Sequence, residues 1–74
     1  MTTPTTETVF AEPLTARERQ VAEAIARGLT NKQIAVEFGI STETVKRHLA
    51  SIYGKLALHG RLALAIHVLR SRAA

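Results

Sequence analysis

Between positions 14 and 70, apolar residues recur at intervals of three and four, and no stretch sustains the alternation of a strand. The pattern predicts four helices. The first begins after Leu14, where Thr15 and Glu18 have the spacing of a capping box. Val21, Ala22 and Ile25 form its apolar stripe, and Gly28 is placed to end it. Leu29 starts the connection. The second helix takes Thr30 as its N-cap, with Gln33 at the box position and Ile34, Ala35 and Phe38 facing inward. Gly39 supplies a left-handed turn residue and Ile40 plugs the turn. The third helix opens at Ser41 or Thr42 and runs to about 56, and the fourth covers about 61–70. Residues 1–13 are rich in threonine, hold both prolines and lack helical periodicity. They read as a flexible tail or linker remnant, which leaves 14–74 as one all-α domain.

At about 100° per residue, Val45, Leu49, Ile52 and Leu56 of the third helix fall on one narrow stripe, its core side. The opposite face carries Glu43, Arg47, Ala50, Ser51 and Gly54. Lys46 flanks it on one side, and Thr44, His48 and Lys55 on the other. The small residues Ala50, Ser51 and Gly54 let a helix backbone sink close to base edges while longer side chains reach around it. A merely solvated face more often carries Glu and Lys, the strong helix formers. Gly54 weakens the last turn, since glycine costs roughly 1 kcal/mol relative to Ala in a helix interior. Two short helices, a tight turn and a basic, small-residue face on the second helix form the layout of a helix-turn-helix, here about 31–50.

A chain of 74 residues has room for one compact core and no separate catalytic domain. A hydrophobic content of 46% is too high for a disordered chain. No apolar run approaches the roughly 20 residues of a membrane span. The first residues lack the basic start and apolar stretch of a secretory signal, so the expected location is the cytoplasm. Without cysteine there is no disulfide and no thiolate metal site. His48, His59 and His67 match no common metal-ligand spacing, so no metal or other cofactor is expected. Catalysis finds no support either, with no Cys nucleophile and no Gly-rich phosphate loop. The net charge of +4 is unevenly spread: every acidic residue lies at or before Glu43, while Lys46, Arg47, Lys55, Arg61, Arg70 and Arg72 follow it. That asymmetry points to a polyanion, with nucleic acid first and anionic membrane second.

The segment LTARERQVAEAIARGLTNKQIAVEFGISTETVKRHLASIYGKLAL, followed by Arg61, resembles the LuxR-type (GerE-type) DNA-binding domain of bacterial transcription regulators. The resemblance rests on Leu14-Thr15, Arg17-Glu18-Arg19, Val21, Gly28-Leu29, Asn31-Lys32, Ile34-Ala35, Ile40-Ser41, Thr44-Val45-Lys46, His48, Ile52, Lys55-Leu56 and Arg61, spaced without a gap. It implies a four-helix fold, double-stranded DNA as partner, control of transcription and a homodimer through the fourth helix. Carried over by position, Lys46, Arg47 and Ala50 face the bases, and Thr30, Asn31, Lys32, Thr44, His48 and Lys55 make backbone or supporting contacts. The chain departs from the family's pattern at Ala50, often polar or basic, at Ala22, usually Leu, and at Gly60, usually polar.

Several residues have a plainer reading beside the sharper one. Lys46 and Arg47 are either solvated charges or the groups that reach guanine O6 and N7. Thr42 and Ser51 join the candidate DNA contacts, Thr42 at a helix N-terminus that suits a phosphate. Glu18 is either a cap alone or also the partner of a basic residue on the third helix. Leu62, Ala65, Ile66 and Leu69 either pack inside the monomer or form the dimer contact. Leu64 and Val68 are apolar too, and a terminal helix in a small domain cannot bury two faces internally. Three alternatives compete with an independent DNA-binding regulator. One is a sigma-factor-like helix-turn-helix that needs RNA polymerase to bind. The second is a helical protein-interaction module, and the third a peptide of the membrane surface.

Overall fold

The computed structural model describes residues 14–73, so the expected tail at 1–13 lies outside the described residues. Four helices follow in order: α1 (Ala16–Ala26), α2 (Asn31–Phe38), α3 (Thr42–Leu56) and α4 (Arg61–Ala73). The described residues contain no strand. The fold is all-α, as the periodicity requires.

Local chemistry sets the boundaries. Thr15 Oγ1 accepts from the Glu18 amide at 3.0 Å, and the Thr15 amide donates to Glu18 Oε1 at 2.9 Å. Thr30 and Gln33 repeat the exchange at the start of α2, at 3.1 and 2.8 Å. Each box satisfies one donor of the helix's open first turn and one just outside it. Ser41 caps α3, its hydroxyl accepting from the Thr44 amide at 3.0 Å. Gly39 turns the chain between α2 and α3 at φ +67°, a conformation glycine adopts without a Cβ penalty. Ala57 does the same work after α3 at φ +56°, where an alanine is less comfortable.

The core is a single cluster drawn from all four helices: Val21, Ala22, Ala24 and Ile25, then Ile34 and Ala35, then Val45, Leu49 and Ile52, then Leu64 and Val68. Helix α1 packs on both α3 and α4, and α2 packs on α3. Every apolar residue expected on the core side of α3 is there, with Leu56 only partly buried. Phe38 is half-buried, and its ring carries the Arg17 guanidinium 4.9 Å from the centroid, a cation–π contact between α1 and α2. Arg27 and Glu37 bridge the same two helices at 2.9 Å. The glycine within α3 does not end it, since the helix continues past Gly54 to Leu56. Helix α4 runs three residues beyond the expected Arg70. Ser71 Oγ donates to the His67 carbonyl at 3.0 Å, and Arg72 pairs with Glu23 on α1, so the last turn is tied down.

Candidate nucleic-acid interface

Packing divides α3 into two surfaces. Val45 and Ile52 are fully buried and Leu49 nearly so, which fixes the rotation of the helix about its axis. Glu43, Lys46, Arg47, Ala50 and Gly54 are then exposed on the outer side, with Thr44 and His48 half-buried along its edge. Lys46 Nζ stands 4.0 Å from Glu43 Oε1, a loose pair between two largely exposed side chains. The described residues give Arg47 no ion-pair partner. A Cβ placed on Gly54 would meet nothing within 4 Å, so packing inside the monomer does not demand glycine there. The smallness of the outer face is therefore available to an external partner.

Two helix N-termini add donors. At α2 the Gln33 amide is taken by Thr30 Oγ1 and the Ile34 amide by the Thr30 carbonyl, while Thr30 and Lys32 are exposed. At α3 the Thr44 hydroxyl lies 3.0 Å from Ser41 Oγ, and Thr42 is exposed. Partial positive charge gathers at both ends, where an anion is favoured.

A buried carboxylate holds α3 to α1. Glu18 is 6% exposed. Its Oε2 accepts from Ser51 Oγ at 2.6 Å, and its Oε1 accepts from Lys55 Nζ at 2.8 Å. With the Thr15 amide on Oε1 as well, one carboxylate serves both the α1 cap and the α1–α3 contact. The hydrogen bond from Lys55 is the largest cause holding the Glu18 pKa down, followed by those from Ser51 and the Thr15 amide; the group falls from 4.5 to about 2 against the opposing effect of burial. A depressed folded-state pKa contributes stability above the unfolded value that is lost as pH falls through the folded value. Acid should therefore destabilise the domain progressively between about pH 4.5 and pH 2. Urea melts across that window should show the slope in the wild-type chain and a smaller one in Glu18→Gln. An equal slope in both would detach the acid sensitivity from Glu18.

These features meet a matching family. The family model described as "Bacterial regulatory proteins, luxR family" matches residues 12–68. The chain belongs to the LuxR family of bacterial regulatory proteins. It is 53% identical over 58 residues to the "Probable transcriptional regulatory protein SgaR" of Hyphomicrobium methylovorum, covering 77% of this chain and 28% of that one. It is 48% identical over 54 residues to the transcriptional regulatory protein UhpA of Escherichia coli (strain K12), covering 73% and 28%. Against the nitrate/nitrite response regulator protein NarP of the same strain the identity is 44% over 61 residues, covering 82% and 28%. The chain thus spans little more than a quarter of the length of these relatives. It is a LuxR-type DNA-binding domain of the kind found in transcription regulators, a family of regulators rather than enzymes.

Within the LuxR-type domain, the residues expected at DNA separate into groups. Lys46, Arg47 and Ala50 share the outer face of α3, and Thr44 and His48 border it. Thr30, Asn31 and Lys32 open α2, and Thr42 opens α3. Ser51 and Lys55 do not join the outer set, because both turn onto Glu18. Both readings of Glu18 hold together: it caps α1 and pairs with a basic residue of α3. On α4, Leu62, Ile66 and Leu69 are exposed at 74%, 41% and 47%, whereas Ala65 is half-buried against the core. No helix of the described residues is long and apolar enough to cross a membrane.

Proposed function

We propose that this domain binds duplex DNA sequence-specifically, as a homodimer, and so directs the control of transcription. Helix α3 enters the major groove with its outer face toward the bases. The observation that carries this reading is the composition of that face: Arg47, Ala50 and Gly54 opposite the core stripe, with Lys46 exposed beside them. Arg47 and Lys46 supply donors for guanine O6 and N7, and Ala50 offers an apolar contact. Thr30, Asn31, Lys32 and Thr42, at the two helix N-termini, take the phosphates, with Thr44 and His48 supporting. Leu62, Ile66 and Leu69 form the centre of the dimer contact, because their spacing places them on one stripe of α4 away from its buried side.

Phosphate contacts make a quantitative demand. Binding weakens with salt, log K falling by about 0.9 on log salt for each phosphate neutralised. Titration of a fluorescent duplex at several salt concentrations measures the slope. A flat response would sink groove binding. Selection of bound sites from a random duplex pool then reads out the operator.

A further inference from the structure

Arg61, the first residue of α4, reaches across the fold to the start of α2. Its Nη1 donates to Asn31 Oδ1 at 2.8 Å, and its Nη2 donates to the Leu29 backbone carbonyl at 2.7 Å. Leu29 and Asn31 flank Thr30, the N-cap of α2. A guanidinium from 30 residues downstream therefore grips both sides of the cap that opens the helix.

The chemistry of that grip fixes the direction of a neutral side chain. Arginine has only donors, so the atom of the Asn31 amide that faces it must be the oxygen. The Asn31 NH2 group is thereby turned to the other side, as a pair of donors. The helix end already lacks acceptors: the Gln33 and Ile34 amides are taken by Thr30, and the amides of Asn31 and Lys32 precede them in the same open turn. Nδ2 of Asn31 makes no hydrogen bond among the described residues. Both acceptors of Arg61 are uncharged, so its positive charge is not cancelled by the grip. Two acceptors held by two different nitrogens also use the fork of a guanidinium, which an ammonium lacks.

We infer that Arg61 is a positioning residue for the DNA backbone, holding the Asn31 amide with its NH2 outward onto a phosphate oxygen at the start of α2. The inference rests on the groove-binding reading above. It also joins the helix that carries the exposed Leu62, Ile66 and Leu69 to the helix end that receives the phosphate. The neighbour of Arg61 is Leu62, so whatever settles the start of α4 also settles the Asn31 amide.

The test measures the affinity, and its salt dependence, for a mixed-sequence duplex of about 20 base pairs, with circular dichroism and thermal melts as fold controls. Arg61→Ala should weaken binding roughly tenfold, the loss of one hydrogen bond to a charged oxygen. Asn31→Ala should do the same, and the double variant should lose no more than either single one. Arg61→Lys keeps the charge but not the fork, and its affinity should fall as far as that of Arg61→Ala. Where Arg61→Ala does not fold, Asn31→Ala and Arg61→Lys, singly and combined, carry the same comparison. Wild-type affinity in Asn31→Ala or Arg61→Lys overturns the proposal, leaving Arg61 a structural clamp or a bare charge. Additive losses overturn it as well, since Arg61 would then touch its own phosphate. A wild-type chain with no salt slope at all fails the groove-binding reading itself, a result distinct from each of these.

Discussion

An arginine in place of Leu64 should unfold the domain, while an arginine at Leu62, Ile66 or Leu69 should leave it folded and remove cooperative binding to a duplex with two half-sites. Leu64 is fully buried in the core, with Val68 9% exposed one turn away. Truncating such a leucine to Ala costs about 2–5 kcal/mol, and an unpaired buried charge costs more. A domain of this size is stable by only about 4–11 kcal/mol, at 0.05–0.15 kcal/mol per residue. The exposed three carry no such burden, since a charge there enters water when the chain is monomeric. In the proposed dimer the same charge would be trapped between two apolar faces. Two half-sites raise the effective concentration of one subunit near the other, so DNA should strengthen a weak dimer. Circular dichroism sorts the folded variants from the unfolded, and gel shifts on one- and two-site duplexes measure cooperativity. If all three folded variants kept wild-type cooperativity, the outer face of α4 would have another purpose.

The second large effect belongs to Arg47. Arg47→Ala should cost about 1–3 kcal/mol on the selected site and relax the preference at one or two base positions. Lys32→Ala, at the start of α2, should weaken all sequences alike and flatten the salt slope. The contrast is what matters: one residue is proposed to read bases and the other to hold the backbone. Competition titrations with single-base variants of the site separate the two. A wild-type base preference retained in Arg47→Ala would mean that α3 presents a different face.

Much of this was legible in the chain because the informative interactions are local. Caps act over three residues, so Thr15 with Glu18 and Thr30 with Gln33 could be read directly. The buried stripe of α3 follows from helical period alone. Contacts distant in sequence were less visible. A wheel places Ser51 and Lys55 near the outer face, but it contains no α1, and only the folded chain brings Glu18 to them. Arg61 stood out as part of a pattern, yet nothing in its own neighbourhood names Leu29 and Asn31 as its acceptors. Ala65 shows the same limit. Period 3.6 places it between two apolar stripes, and the packing of α1 on α4 decides which side covers it. The length of α4 was underestimated because its final turn is held partly by a distant residue, Glu23 of α1.

The split of α3 has a consequence for how such a regulator diversifies. Lys46, Arg47 and Ala50 are all exposed, and none belongs to the buried cluster. Substitutions at positions of this kind usually change stability by no more than about 0.5 kcal/mol. Val45, Leu49 and Ile52 alternate with them along the same helix and tolerate far less. In the proposed reading, target choice and foldedness are written in interleaved letters on one helix, and they can be edited separately. If those three positions read the operator as proposed, a duplicated copy of this gene would drift to a new operator through three codons while its scaffold stayed under unchanged constraint.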